Sequence, residues 1–199
     1  MPDTLTRPAA LSAPFRLATP ADAAALADFI TDASEGLAPY FWARTAGAGA
    51  RAYGEARQAK AAAEWIVAEE AGAAVAGLRG NRQPDAPEPI GPDFEPLFRP
   101  LQELENLAPA SWYVHVLAAR ADRRGQGWGS RLLALAEELA RAEGCAELSI
   151  IVADNNTGAE RLYRRTGYVE RARRAMVKGD WQSPGTAWIL LVKPVPATR

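Results

Sequence analysis

Residues 111–131 read SWYVHVLAARADRRGQGWGSR. The stretch opens with an apolar run, Trp112 to Ala119, of strand length. It turns through Asp122, Arg123 and Arg124, places glycines at alternate positions (Gly125, Gly127 and Gly129), and enters a helical pattern. A strand, a glycine loop and a helix start together make a place to hold an anion. Glycine lets backbone N–H groups approach a ligand without a Cβ in the way. The helix N-terminus adds unpaired donors and a partial positive charge. Arg123 and Arg124 bring full charges able to hydrogen-bond phosphate.

The glycine spacing separates the phosphate-binding loops. A dinucleotide loop reads G-x-G-x-x-G, whereas here the third glycine comes one residue early and Ser130 stands in its place. A P-loop requires a lysine after its last glycine, and none follows. The pattern R-x-x-G-x-G fits, as Arg124-Gly125-Gln126-Gly127-Trp128-Gly129. It resembles the acetyl-CoA loop of the GNAT family of N-acetyltransferases.

Composition narrows the classes from another side. The 199 residues suffice for one domain with a full core. With 48% hydrophobic and 24% charged residues the chain reads as globular. A net charge of −1 argues against a nucleic-acid partner. The arginines after position 160 are interspersed with glutamates and read as a solvated face. Cys145 is the single cysteine and His115 the single histidine, so neither an internal disulfide nor a cysteine- or histidine-based metal site is expected. The N-terminus lacks the basic and apolar regions of a signal peptide, and no apolar run reaches ~18 residues. The expectation is a cytoplasmic protein without a membrane span.

In chain order, residues 1–13 read as a loose arm and 14–195 as a single domain. Phe15–Ala18 is a short strand. Thr19, Pro20 and Asp22 start a helix with Ala23, Leu26, Ala27 and Ile30 on one face. Residues 37–62 are helical but interrupted by proline and glycine; the aromatics Tyr40, Phe41 and Trp42 are expected to pack a helix on the sheet. Trp65–Glu70 and Val75–Gly80 form a hairpin. A Pro-rich insert spans 81–110, with a short helix marked by Leu97, Leu101, Leu104 and Leu107.

After the glycine loop, Arg131–Glu143 is a helix burying Leu132, Leu135, Ala136 and Leu139, stopped by Gly144. Leu148–Val152 is a central strand. Thr157 and Glu160 make a capping box for the next helix. Strands at Tyr168–Val177 and Trp188–Val192 close the chain. The fold class is α/β: a mixed, mostly antiparallel sheet of six to seven strands with helices on both faces.

A second motif strengthens the resemblance. Asn156, Ala159, Leu162, Tyr163, Gly167 and Tyr168 match N-x-x-A-x-x-L-Y-x-x-x-G-[FY], about 30 residues after the glycine loop, as in the GNAT family. The resemblance implies a GNAT fold splayed between strands 112–119 and 147–153, with acetyl-CoA as co-substrate and no metal. It implies pantetheine pairing with the backbone of Leu117 and Ala119, and pyrophosphate on Gly125, Gln126, Gly127, Trp128, Gly129 and Ser130. Arg124, Asn156 and Ala159 complete the expected cofactor contacts, and the Trp128 side chain is expected to point outward. The implied activity is acetyl transfer to a primary amine, of a small molecule or a peptide, by direct attack on the thioester. A homodimer is compatible with this reading. The alternative is a non-catalytic acyl-CoA-binding or sensor module on the same fold.

Direct transfer makes three demands. The oxyanion needs a donor, here a backbone N–H near Leu117. The leaving thiolate, of ordinary pKa about 8.5, is helped by an acid. Tyr163 is the candidate, two helical turns after Asn156 and on the same face. The acceptor ammonium must lose a proton to a base. His115, with an unperturbed pKa near 6.5, is the first candidate; a hydrogen-bonded structural histidine is the competing reading. Glu35, Glu69 and Glu70 rank lower. Cys145 reads as a small buried residue.

Overall fold

The computed structural model describes residues 11–196. Most of the expected arm at 1–13 therefore lies outside the described residues. Seven strands are hydrogen-bonded in the order β1-β2-β3-β4-β5-β7-β6. They are β1 (Phe15–Leu17), β2 (Trp65–Glu70), β3 (Ala73–Arg82), β4 (Trp112–Ala119), β5 (Glu147–Ala153), β6 (Val169–Ala175) and β7 (Ala187–Pro194). The helices are α1 (Ala23–Ala33), α2 (Leu37–Ala46), α3 (Ala50–Lys60), α4 (Arg99–Glu105), α5 (Trp128–Ala142) and α6 (Thr157–Arg165). β4 pairs with β5 in parallel, while β1–β2, β2–β3, β5–β7 and β6–β7 pair antiparallel. This is the open, mostly antiparallel α/β sheet expected.

The chain divides into two compact units, Met1–Gly80 with Val116–Leu132, and Asn81–His115 with Leu133–Arg199. In the first unit, Leu26 and Phe29 of α1 pack with Trp65, Val67, Ala74 and Val116 of the strands. Asp22 precedes α1 and ties it to β1: its carboxylate accepts from Arg16 (2.8 Å) and from the Thr19 N–H (2.8 Å). α2 and α3 meet where Trp42 lies over Gly54. A Cβ on Gly54 would stand 2.5 Å from the indole ring, so only glycine permits this approach. Trp42 thus joins two helices. Tyr40 and Phe41 are half-buried and stack edge to face at 5.8 Å, with the Arg44 guanidinium over both rings.

In the second unit, β5 is covered on one edge by β7 over seven residue pairs and on the other by β4 over Trp112–Val114. Ser111 and Ser149 are buried and hydrogen-bonded to each other (2.6 Å), which satisfies two polar groups where β4 begins. Leu139 of α5 is fully buried, as its helical spacing requires; each leucine removed from water contributes about 2 kcal/mol. α4 is shorter than the leucine spacing indicates. Pro100 sits at its start, Leu104 is buried, and Leu107 lies past its end, exposed.

β6 ends the sheet order. It reads VERARRA, its side chains are mostly exposed, and its register against β7 shifts between Glu170 and Ala172. Arg171 reaches Glu147 with two hydrogen bonds (2.6 and 2.7 Å). Cys145 is buried and free. Among the described residues no helix is long and apolar enough to cross a membrane.

Candidate active site

The glycine loop lies wholly in the first unit. β4 ends at Ala119, and the Arg120 N–H donates to the Val75 carbonyl (2.9 Å). A single 3-10 turn, Ala121–Arg123, leads into the glycines. Gly125 and Gly127 both have positive φ, +76° and +86°, a conformation that side chains oppose. α5 begins at Trp128, three residues earlier than its periodicity indicates, and the Arg131 N–H donates to the Gly127 carbonyl (3.1 Å). The N–H groups of Trp128, Gly129 and Ser130 thus form the first turn, where no intrahelical acceptor is available. Residues 124–127 are exposed. Expected cofactor residues Arg124, Gly125, Gln126, Gly127, Trp128, Gly129 and Ser130 are therefore one continuous loop and helix start, following Leu117 and Ala119 on the strand.

One expectation about this loop needs correction. The Trp128 side chain is buried, not outward. It meets Phe15 edge to face at 6.4 Å, and the Arg131 guanidinium caps its ring at 4.4 Å. This anchors the helix start on β1, and only the Trp128 backbone faces the loop. The loop arginines are also engaged. Arg123 donates to Glu70 (2.9 Å) and Asp122 (3.0 Å), and Arg124 to Asp32 (2.7 Å). Both pairs lie at the surface, with the arginine side chains 35% and 59% exposed. Glu69 and Glu70, considered as bases, are paired with Arg16 and Arg123.

The second unit holds the other expected residues. Asn156 caps α6, its side chain accepting from the Ala159 N–H (3.1 Å), so Thr157 is the first helical residue and not the cap. The Ala159 N–H is thereby used within the chain. Tyr163 is buried, with its ring 5.8 Å from that of Tyr168, and burial pushes its hydroxyl pKa up. His115 is exposed; its Nε2 is hydrogen-bonded to the Asn81 side chain at the end of β3.

Beside His115 stands a group the sequence did not single out. Tyr113, two residues earlier on the same strand face, is buried, with its ring 4.5 Å from the imidazole. Its hydroxyl is hydrogen-bonded to the carboxyl of Glu105, the last residue of α4. Burial pushes Glu105 up to about 7; the Tyr113 hydrogen bond lowers it and the charge of Glu88 raises it further. Burial pushes Tyr113 up as well, with Glu105 and Tyr163 adding to the effect. One signal for Glu105 was present in the sequence: it follows Leu101 by four residues, on the flank of the leucine stripe. Among the described residues no group of three His, Cys, Asp or Glu side chains is placed to hold a metal ion.

Comparison with known proteins agrees with this architecture. Residues 31–168 match the Acetyltransferase (GNAT) family, and the chain belongs to that family. A curated relative, aminoglycoside N(6')-acetyltransferase type 1 of Serratia marcescens, is 33% identical over 66 residues; these are 33% of this chain, and the match spans less than half, 44%, of the relative's length. The ribosomal-protein-alanine N-acetyltransferase of Brucella melitensis superposes with a TM-score of 0.54 at 27% identity, covering 90% of this chain and 98% of that one. A putative acetyltransferase of Salmonella typhimurium, solved with its cofactor acetyl-CoA, has a TM-score of 0.56 at 19% identity, covering 93% and 95%.

Proposed function

We propose that this acetyltransferase moves the acetyl group of acetyl-CoA directly to a primary amine. The observation that carries the reading is the loop of positive-φ glycines running into the open first turn of α5, inside a chain of this family. The acceptor ammonium gives up a proton, and its nitrogen attacks the thioester carbonyl carbon. The C–N bond forms, the oxyanion takes a hydrogen bond from the backbone near Leu117, and the C–S bond breaks with its electron pair on sulfur. The nitrogen loses its second proton, and the sulfur leaves as the thiol of CoA.

Tyr163 fits the donor to the leaving sulfur. Its hydroxyl holds its proton more tightly than a thiol, of pKa about 8.5, so its contribution is a hydrogen bond to the developing thiolate. Pyrophosphate would lie on the N–H groups of residues 125–130, pantetheine along Leu117 and Ala119, with Asn156 fixing the start of the Tyr163 helix. Residues 14–195 act as one catalytic domain in this reading.

The acceptor classes worth testing come from the relatives: an aminoglycoside amine and a peptide N-terminal alanine. Thermal unfolding with acetyl-CoA, beside NAD and ATP, tests the cofactor; at ~100 times its dissociation constant a ligand adds about 2.7 kcal/mol. A rise with acetyl-CoA alone, followed by thiol release with one of the two amines, is the expected result. Binding without thiol release from any amine would leave a non-catalytic acyl-CoA module, and no rise would remove the cofactor itself.

A further inference from the structure

The two arginines that enter the glycine loop are held in different ways. Arg123 is tied down twice, donating to Glu70 of β2 (2.9 Å) and to Asp122 of its own turn (3.0 Å). Asp122 also accepts from Arg120 (3.0 Å), so this group of charges is closed on itself. Among the described residues Arg124 has one carboxylate, Asp32 (2.7 Å). Its Nε turns back to the Ala119 carbonyl at the end of β4 (3.4 Å), which keeps the guanidinium beside the loop it precedes. All these residues belong to the first compact unit.

Asp32 stands where a carboxylate is unwelcome. It is the last residue but one of α1, in a final turn that carries partial negative charge and no basic residue. Asp28, one turn earlier on the same face, adds a like charge. Arg51 is bonded to Asp28 and to Glu55. The helix itself therefore gives no reason for Asp32, and its partner is an arginine of the loop.

We propose that Asp32 sets the hold on acetyl-CoA: its carboxylate competes with the cofactor's pyrophosphate for the Arg124 guanidinium, and binding exchanges one anion for the other. This rests on the acetyl-CoA reading above. The exchange is cheap on the protein's side. The Asp32 side chain is 47% exposed and that of Arg124 59%, so neither charge is stranded away from water, and a pair this exposed contributes little. A pyrophosphate oxygen is the stronger acceptor for a guanidinium. Arg123 keeps both its carboxylates throughout and holds the turn. Acetyl-CoA and CoA carry the same phosphates, so Asp32 weakens both alike and speeds the departure of the spent cofactor.

The test is calorimetric binding of acetyl-CoA and of dephospho-CoA, which keeps the pyrophosphate, to Asp32→Asn, Arg124→Gln and the double variant. D32N removes a charge from a helix end that disfavours it, so the fold is not put at risk. It should bind both ligands roughly three- to fivefold more tightly than wild type at ~50 mM salt, with the gain shrinking towards ~1 M. R124Q should bind more weakly than wild type, and adding D32N to it should restore no more than a small part of the gain. CoA should leave D32N more slowly by a similar factor. Equal affinity of D32N and wild type at low salt overturns the exchange, as does the full gain persisting without Arg124. A gain seen with acetyl-CoA but not with dephospho-CoA also overturns it, because the competing group would then not be the pyrophosphate. Wild type that binds neither ligand overturns the cofactor reading, and the exchange with it.

Discussion

Glu105→Gln should make the protein more stable above neutral pH and leave it nearly unchanged at pH 4. In the wild type the Glu105 carboxyl titrates at about 7, against an unfolded value of 4.5. Between these values the folded protein holds a proton that the unfolded chain has released. Stability is then full below pH 4.5 and falls as pH rises through 7, where a partly buried charge must be carried. A displacement of about 2.5 pH units, at ~1.4 kcal/mol each, sets an upper value near ~3 kcal/mol. Glutamine carries no charge at any pH, so the variant escapes this loss. Thermal or urea unfolding of both proteins from pH 4 to pH 8 measures it. The stability difference should open across that range to about 2–3 kcal/mol, or roughly 5–10 °C in Tm for a chain of this size. A difference that stays constant with pH would refute the reasoning, because Glu105 would then be a solvated carboxylate of ordinary affinity. The measurement needs no substrate.

Tyr163→Phe should lower kcat at least tenfold with no change in acetyl-CoA affinity, measured by thiol release and by calorimetry; full turnover would remove the hydroxyl from the reaction. Gly54→Ala tests the α2–α3 contact. The helix gains up to ~1 kcal/mol from alanine, but the 2.5 Å approach to Trp42 costs about 1–3 kcal/mol, so urea unfolding should show a net loss, and a stabilised variant would disprove the close approach. Asp22→Asn should cost about 2 kcal/mol at pH 7. Arg16 holds Asp22 down to about 2 from 3.8, and this stability is present above pH 3.8 and lost as pH falls through 2; equal stability of the two proteins at pH 7 would contradict it.

The sequence made the middle of the fold legible because its signals there are local. Trp112 to Ala119 is an apolar run bounded by a charged turn, and β4 has those same ends. Leu132, Leu135, Ala136 and Leu139 recur at helical spacing, and all are buried. Where the reading went astray, the deciding partner lies far along the chain. Trp128 turns inward because Phe15, more than a hundred residues earlier, offers a ring edge and Arg131 covers the other side. Asn156 and Thr157 are both good caps, and only the backbone path shows that Asn156 is the cap and that the helix starts at Thr157. Glu105 sits in an insert with little periodicity, and what sets it apart is tertiary: a buried tyrosine donor and a nearby glutamate.

The last strand of the sheet carries a consequence for behaviour at high concentration. Among the described residues β6 offers a row of backbone groups with no strand beyond it, and such a border is a template on which further chains can pair and grow into fibrils. Its composition works against that. Glu170, Arg171 and Arg173 are exposed along it, and the register shift after Glu170 interrupts the flat pairing surface. A second copy docking there would have to strip the water from these charges. Val169, 58% exposed at its start, marks how little separates this strand from a sticky one. Exchanging Arg171 and Arg173 for valine would turn a colloidal safeguard into a seed for cross-β assembly.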